Sequence, residues 1–566
     1  MNPDRITTIF FDVGRTIRKT IPSPDTRSYW LEKIITTMGL DWTAQDLSDK
    51  LTKRLQNYKT WSEISLIELK DYELWRTWLL PDAAEHITHI NAPDLTQYSR
   101  KAIGEGILLP HAIEVIKELF NRGYRLGIIS NTLSSEQTPD FLKEMELTRY
   151  FEAIVLSCNF GKKKPDPSIF TEATTQLGVN PFNCAYVGDK YDRDIIGSSN
   201  ANFPISVLIE HTDSPTEVLP HTSIRPTHII TDLTELLDIF PPFYTVHKNG
   251  HKPEIDKLEK RFWNVSLSTM WSYERKISIG EMPEIINKMS ILGVELNHSI
   301  TTDHLSGLNL GTLPITSIHE PCPSDVSTAT LTRKDWLISS ESEENRCQGV
   351  RMMMRSIDLA VNVGASLVIV HPGNSGVGNH HETKLRDLYN RGLVGSPEYH
   401  EQFEKLLVAR NSNLNARMNA TEKSLKELLD YSVKSGVKLS LENRYHFMDI
   451  PTLDEMDRLL QLGDEDRIGM QFDVGHAFVM DRLGFMPFME WLNRFGKRIF
   501  GVHLHDVRGL EDHFAPGLGN IDFDILAKYI PSTAIRTLEI RGNNSEDEIR
   551  RGMEILNKAG VVNYKN

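Results

Sequence analysis

Carboxylates and imidazoles recur at the ends of hydrophobic runs across residues 437–539. VKLSLENR carries Glu442, IGMQFDVGHA carries Asp473 and His476, RIFGVHLHD carries His503, and RTLEIRG carries Glu539. Two earlier runs end in histidine, His319 in SIHEP and His371 in IVHPG, and the loop beyond His503 adds Glu511 and His513. Mixed imidazole and carboxylate donors without thiolate suit Zn2+, Mn2+ or Fe2+. Nine such side chains exceed the roughly four to six ligands that one ion takes, so two or three ions are expected. Such a cluster can supply hydroxide at neutral pH and neutralise charge on a phosphoryl oxygen, as phosphoester hydrolysis requires. A single ion bridging two substrate oxygens would instead serve hydride or proton shifts in sugars.

These side chains need a scaffold that presents many strand ends on one face. Each run is short and apolar, as in strands buried on both faces, and the runs are separated by helix-length stretches. With FWNVSLS, ILGVELNH, TSIHEPCP and SLVIVHPG, they make eight strands alternating with helices in the second half of the chain. That pattern predicts an α/β domain, a (β/α)8 TIM barrel whose site lies at the carboxyl ends of its strands. A charged, largely helical stretch over about 376–436 falls on that side and is read as a lid, with His380 and His381 as solvated loop residues.

The first half carries four further stations. ITTIFF is followed at once by Asp12, and RLGIIS ends at Ser130-Asn131-Thr132. Lys164 lies in GKKKPDP, and NCAYVGD leads into Asp189, Asp192 and Asp194. Asp12 thus sits at a strand's carboxyl end, where open parallel sheets bind ligands. Residues 28–100 read as about four amphipathic helical segments with little strand signal.

In order and spacing, these stations resemble the haloacid dehalogenase (HAD) superfamily over roughly residues 5–240. The resemblance implies a Rossmann-like α/β domain with a helical cap over about 20–105. It implies Asp12 as a nucleophile that takes up phosphate, Ser130 and Lys164 on the transferring phosphoryl group, and Asn131 beside them as a substrate contact. Mg2+ would be held by Asp12, Asp189 and Asp194 or Asp192. One departure is evident: family phosphatases usually carry a second aspartate two residues after the nucleophile, and here that position is Gly14. A degenerate, regulatory HAD domain is the alternative.

The second half resembles the xylose isomerase-like barrel superfamily, which includes endonuclease IV, over about residues 260–560. HPG, LENR, FDVGHA, HLHD and the ExH-then-GxGNIDF loop carry the likeness. Mononuclear isomerases and epimerases of that superfamily use four ligands, which map onto Glu442, Asp473, His503 and Glu539. The endonuclease branch uses nine around three metals, and all nine positions match in type except Glu511, where that branch has aspartate. Asp512 is the alternative, but Glu511 keeps the two-residue step to His513. Arg444 and Arg508 read as anion contacts or as salt-bridged arginines, and His505 as a substrate group or a strand-end polar residue.

Composition bounds the rest. At 566 residues two or three domains are expected, and the net charge of −14 is spread evenly. Residues 1–250 hold 26 basic and 33 acidic side chains, leaving 37 and 44, so neither half shows the basic excess of a nucleic-acid binder. Four scattered cysteines indicate neither a disulfide framework nor a thiolate zinc site. With no leader and no long apolar run, a cytoplasmic protein without membrane contact is expected. The domains are placed at 1–240 and 259–566, with PPFYTVHKNGHKPEID in a linker at 241–258. The expectation is a bifunctional enzyme: a phosphatase joined to a multinuclear barrel that acts on a small phosphorylated, carbohydrate-like metabolite. A one-metal sugar (phosphate) isomerase or epimerase, an apurinic-site endonuclease, and a non-catalytic half are the alternatives.

Overall fold

The structure is a computed structural model that describes residues 6–22, 24–87, 89, 91–211, 224–243, 262–433 and 435–565. The chain forms two compact units, Met1–Pro242 and Phe243–Asn566. From residue 244 on, the expected linker lies outside the described residues.

The first unit is built on six parallel strands in the order β5-β4-β1-β6-β7-β8. They are β1 (Thr8–Phe11), β4 (Arg125–Ser130), β5 (Phe151–Leu156), β6 (Cys184–Gly188), β7 (Ile205–Ile209) and β8 (His228–Ile230). Every residue of β1, β4 and β6 is buried, the expected texture of a parallel sheet covered on both faces. The chain runs outward from β1 to β4 and β5, then returns to place β6 on the other side of β1. Such a reversal opens a crevice at the carboxyl ends of the strands, where ligands bind in open α/β sheets.

Between β1 and β4 the chain leaves the sheet through an antiparallel ribbon, β2 (Arg18–Ile21) with β3 (Glu105–Leu108). The cap between them has its own apolar core, which includes Ile34, Leu47, Tyr58, Trp75 and Leu95. Its longest helix, Ala44–Ser65, starts at a Thr43–Asp46 capping box and buries Leu47, Leu51, Tyr58 and Ser62 along one face.

The second unit contains eight parallel strands: β9 (Phe262–Ser268), β10 (Ile291–Leu296), β11 (Ile315–His319), β12 (Leu367–Val370), β13 (Lys438–Glu442), β14 (Ile468–Asp473), β15 (Ile499–Leu504) and β18 (Ile535–Leu538). Each pairs with the next, and β18 and β10 both pair with β9, so the sheet closes into a barrel. The eight strands are those anticipated from the sequence. A hairpin, β16 (Asp506–Arg508) with β17 (Glu511–Phe514), stands at the carboxyl end beyond β15. The stretch after β12 forms helices His380–Asn390, Pro397–Asn411 and Leu414–Val433. His380 and His381 therefore open a helix rather than a loop, and His381 Nδ1 lies 3.2 Å from Gln402 Oε1.

Candidate active sites

In the first unit, β1, β4 and β6 carry Asp12, Ser130 and Asp189 to the same sheet edge, and the loop after β5 brings Lys164 beneath them. Lys164 Nζ is buried 2.8 Å from Asp12 Oδ1 and 2.6 Å from Asp194 Oδ1. It also donates to the Tyr186 hydroxyl at 2.6 Å, which donates in turn to Ile129 O. The lysine loop is fixed by a reciprocal pair: Asn131 Nδ2 donates to Lys164 O, and Lys164 N donates to Asn131 Oδ1. Asp194 sits directly over Gly188, where a Cβ would fall 2.4 Å from its carboxyl carbon, so only glycine admits it.

Lys164 is in hydrogen-bond contact with two of the three carboxylates, while Arg15 and Arg193 approach Asp189 only to 3.8 and 3.9 Å. Burial pushes the Asp12 carboxyl up, Lys164 offsets part of that, and Asp194 adds to it, for a net rise. Asp189 is pushed up to about 7 by burial, with Asp12 and Asp194 adding. Its Oδ1 has no hydrogen-bond partner among the described residues. Oxygens of Asp12, Asp189 and Asp194 lie within 4.8 Å of one another. A hard divalent cation is what such an oxygen set fits.

In the barrel, the strand ends converge on His503. Its Nε2 lies 3.0 Å from Glu295 Oε1, so Nε2 donates there. Nδ1 is then left facing Glu539 Oε2 at 2.8 Å, Glu442 Oε1 at 3.0 Å and Asp473 Oδ2 at 3.4 Å. None of these contacts is a hydrogen bond, and Nδ1 of His503, Nδ1 of His319 and Oε1 of Glu442 are buried without one. A bare ring nitrogen among three carboxylates is the donor set of a cation. Nearby, His319 and His371 bring their Nε2 atoms to 2.7 Å, and His371 Nε2 lies 3.1 Å from Glu442 Oε2.

Among the described residues, ligand atoms fall into groups each spanning no more than 4.8 Å: His319, His371 and Glu442; Glu442, Asp473, His503 and Glu539; His476, Asp512 and His513. Glu295, His319, His503 and Glu539 form an overlapping group. Burial pushes the carboxyls of Glu442 and Glu539 up, but Arg444 and His319 beside the first and His503 and His319 beside the second hold both well below the ordinary range. Burial lowers His513, yet Asp512 and Glu539 outweigh it and raise the ring to about 10.

Several sequence assignments are corrected. Glu511 is exposed and pairs across the hairpin with Arg508, away from the cluster. Asp512 is buried instead, 2.7 Å from His513 Nδ1 and 3.8 Å from His476 Nε2. Strand alternation would have put Glu511 and His513 on one face, but His513 lies at φ 64° and breaks the alternation. His505 has no atom left for a substrate. Its Nδ1 accepts from His513 N, so Nε2 carries the proton and donates to Asp473 Oδ1 at 2.9 Å. The ring stacks on His513 at 4.4 Å and presses on Gly475, where a Cβ would lie 2.1 Å away. Arg508 is exposed over the Phe514 ring and donates to Leu518 O. Arg444 pairs with Glu442 and lines a cavity of about 270 Å³ together with His298, Glu320, Trp336 and His371.

In the barrel, Glu295 is a residue that sequence reasoning missed. It is fully buried and also accepts from Ser317 Oγ at 2.6 Å and Thr537 Oγ1 at 3.2 Å. Its signal was available, because ILGVEL ends on a carboxylate as the other strands do.

Each unit matches a known family model over part of its length. Residues 25–208 match the family model for haloacid dehalogenase-like hydrolases, and residues 313–559 match that for xylose isomerase-like TIM barrels. A glyceraldehyde 3-phosphate phosphatase of Methanothermobacter thermautotrophicus is 30% identical over 131 residues, 23% of this chain and 57% of the relative. A phosphoglycolate phosphatase of Agrobacterium fabrum is 29% identical over 143 residues, 25% of this chain and 58% of the relative. The chain thus spans less than two thirds of the length of either relative. Among solved structures, a D-tagatose 3-epimerase-like protein aligns at 21% identity and TM-score 0.37, covering 53% of this chain and 97% of that one.

Proposed function

We propose that this chain, a HAD-like hydrolase domain joined to a xylose isomerase-like TIM barrel, is a bifunctional metal-dependent enzyme acting on small phosphorylated, carbohydrate-like compounds. In the first unit the carrying observation is Lys164, held between Asp12 and Asp194 at the sheet's switch point. Asp12 attacks phosphorus, the ester oxygen leaves with the alcohol, and water then cleaves the aspartyl phosphate to free inorganic phosphate. Lys164 and the Ser130 hydroxyl hold the phosphoryl oxygens, and the Asn131 amide keeps the lysine loop in place. Mg2+ held by Asp12, Asp189 and Asp194 would neutralise phosphate charge. The named phosphatases among the relatives support a small phosphorylated substrate.

In the barrel the carrying observation is the spread of ligand atoms over several partly overlapping groups, more than one ion would use, which supports phosphoester hydrolysis over a one-metal isomerisation. His319, His371, Glu442, Asp473, His476, His503, Asp512, His513 and Glu539 would hold two or three Zn2+, Mn2+ or Fe2+ ions, supplying hydroxide and charge neutralisation. Glu295 and His505 orient His503 and Asp473.

The test uses the full chain. Phosphate release from a panel of phosphomonoesters is compared between wild type and Asp12→Asn, and metal content is measured by plasma mass spectrometry after dialysis. Release abolished by Asp12→Asn, with two or three transition-metal ions per chain, supports both parts. Release unaffected by Asp12→Asn would remove the first part, and one ion per chain would remove the second in favour of isomerisation.

A further inference from the structure

The cap and the sheet of the first unit enclose a cavity of about 290 Å³, near the lower end for small-molecule sites. Its floor includes Asn131, Thr132 and Lys163, the neighbours of the phosphoryl-binding groups. Its lining includes the apolar Leu55, Leu74, Trp75 and Leu79. It also carries four cations, Lys59, Arg100, Lys163 and Arg193, against two carboxylates, Glu63 and Glu68.

Lys163 and Arg193 have carboxylate neighbours within 4 Å, whereas Lys59 and Arg100 have no ion pair among the described residues. Lys163 lies 3.5 Å from Glu68 Oε2 and donates to Ser62 Oγ, while Glu68 also accepts from Tyr58. Arg193 leans toward Asp189 at 3.9 Å. Arg100, on the cap helix Ala92–Ile103, is half-buried at the cavity wall. Its guanidinium makes no hydrogen bond or ion pair with any described residue. Burial of Arg100 is only partly offset by the charges of Glu68 and Asp71, neither of which is in ion-pair contact with it, so a ligand anion would complete its guanidinium. The other charges reinforce this, since Lys59 loses affinity for its proton through burial and through its neighbours Arg100, Lys163 and Arg193.

We propose that the substrate of this site is a phosphate monoester whose leaving group carries a second anion, carboxylate or phosphate, and that Arg100 on the cap receives it. The proposal rests on the phosphatase reading of the first unit and names its substrate class. The phosphoryl end would meet Asp12 and Lys164, a short carbon skeleton would lie against Leu74 and Trp75, and the far anion would meet the planar fork of Arg100.

Three matched three-carbon esters test it with the full chain: glycerol 3-phosphate, with a neutral end, 3-phosphoglycerate, with a carboxylate, and 1,3-propanediol bisphosphate, with a phosphate. Wild type is expected to prefer at least one of the two esters with an anionic far end over glycerol 3-phosphate by about 10–100-fold in kcat/KM, the worth of one charge-assisted contact. Arg100→Gln is expected to collapse that ratio toward one through KM, and Arg100→Lys to keep part of it. Equal kcat/KM for all three esters in wild type, or an unchanged ratio in Arg100→Gln, overturns the proposal.

Calorimetric binding to the inert Asp12→Asn chain separates the two readings. If no ester is turned over by wild type but the Kd ratio persists and depends on Arg100, the anion subsite stands and the phosphatase reading falls. If turnover occurs without any ratio, the subsite falls and the phosphatase stands.

Discussion

Gly14 stands where a second aspartate would serve the leaving group, and the structure says what restoring it should do. A Cβ at Gly14 meets no atom within 4 Å, and its φ is not among the positive ones, so a side chain enters free space without backbone strain. Replacing glycine at a compatible position stabilises by about 0.4–1 kcal/mol through the unfolded chain, which offsets part of the cost of another carboxylate. That carboxylate would join Asp12, Asp189 and Asp194, where burial first and the neighbouring carboxylates second push Asp189 up to about 7. The charges of Asp12, Asp189 and Asp194 should raise the Gly14→Asp carboxyl and favour the protonated form that a general acid needs. A positioned general acid contributes about 10²–10⁴-fold, or ~3–5 kcal/mol of barrier. The gain belongs only to alcohols that need a proton to leave. The assay is kcat for phosphate release from glycerol 3-phosphate and from p-nitrophenyl phosphate, with Gly14→Ala as control. Gly14→Asp should raise the first by at least about tenfold and the second by less than about threefold. An equal rise for both esters, or no rise for the alkyl ester in a folded, Mg2+-binding variant, would refute the reasoning.

Three other outcomes are expected. Asp512→Ala should lower the transition-metal content of the chain by about one ion, while Glu511→Ala leaves it unchanged; the reverse pattern in mass spectrometry would restore the sequence-based assignment. Glu295→Gln should weaken metal retention by about 10–100-fold, read from competition with a chromophoric chelator, because the amide no longer fixes His503 with Nε2 protonated. In chelator-treated protein, the Asp189 carboxyl at about 7 lies above its unfolded value of 3.8, so its contribution favours the fold below about 3.8 and is lost as pH rises to about 7. Thermal unfolding of the first unit should show that loss over pH 4–7 and its recovery on adding Mg2+. A midpoint rising across that range would contradict it.

What the sequence disclosed and what it withheld have the same physical origin. Strands buried on both faces write continuous apolar runs, and a polar residue at the end of such a run stands out, so the eight barrel strands and most strand-end donors were visible. Glu295 obeyed the same rule and was passed over because ILGVEL was read only as a strand. Tyr186, which accepts from Lys164, was hidden inside NCAYVGD, where a tyrosine looks like packing. The choice of Asp512 over Glu511 was not legible, because it depends on one left-handed residue, His513, which no alternation rule anticipates. His505 was misread for a related reason. Spacing put it on the face of His503, but only coordinates show that both of its nitrogens are already engaged.

The ribbon of β2 and β3 has an evolutionary consequence. Its register pairs Ile21 with Glu105, so the polypeptide departs for the cap and comes back at neighbouring points. An excursion with its ends already clasped can lengthen, shorten or be exchanged at little entropic cost to the fold beneath it. Arg100 and the apolar Leu55, Leu74, Trp75 and Leu79 belong to that excursion, whereas Asp12, Lys164 and Asp189 do not. Taste and chemistry are therefore inherited separately, and a graft of residues 24–103 between relatives would transplant the first and leave the second in place.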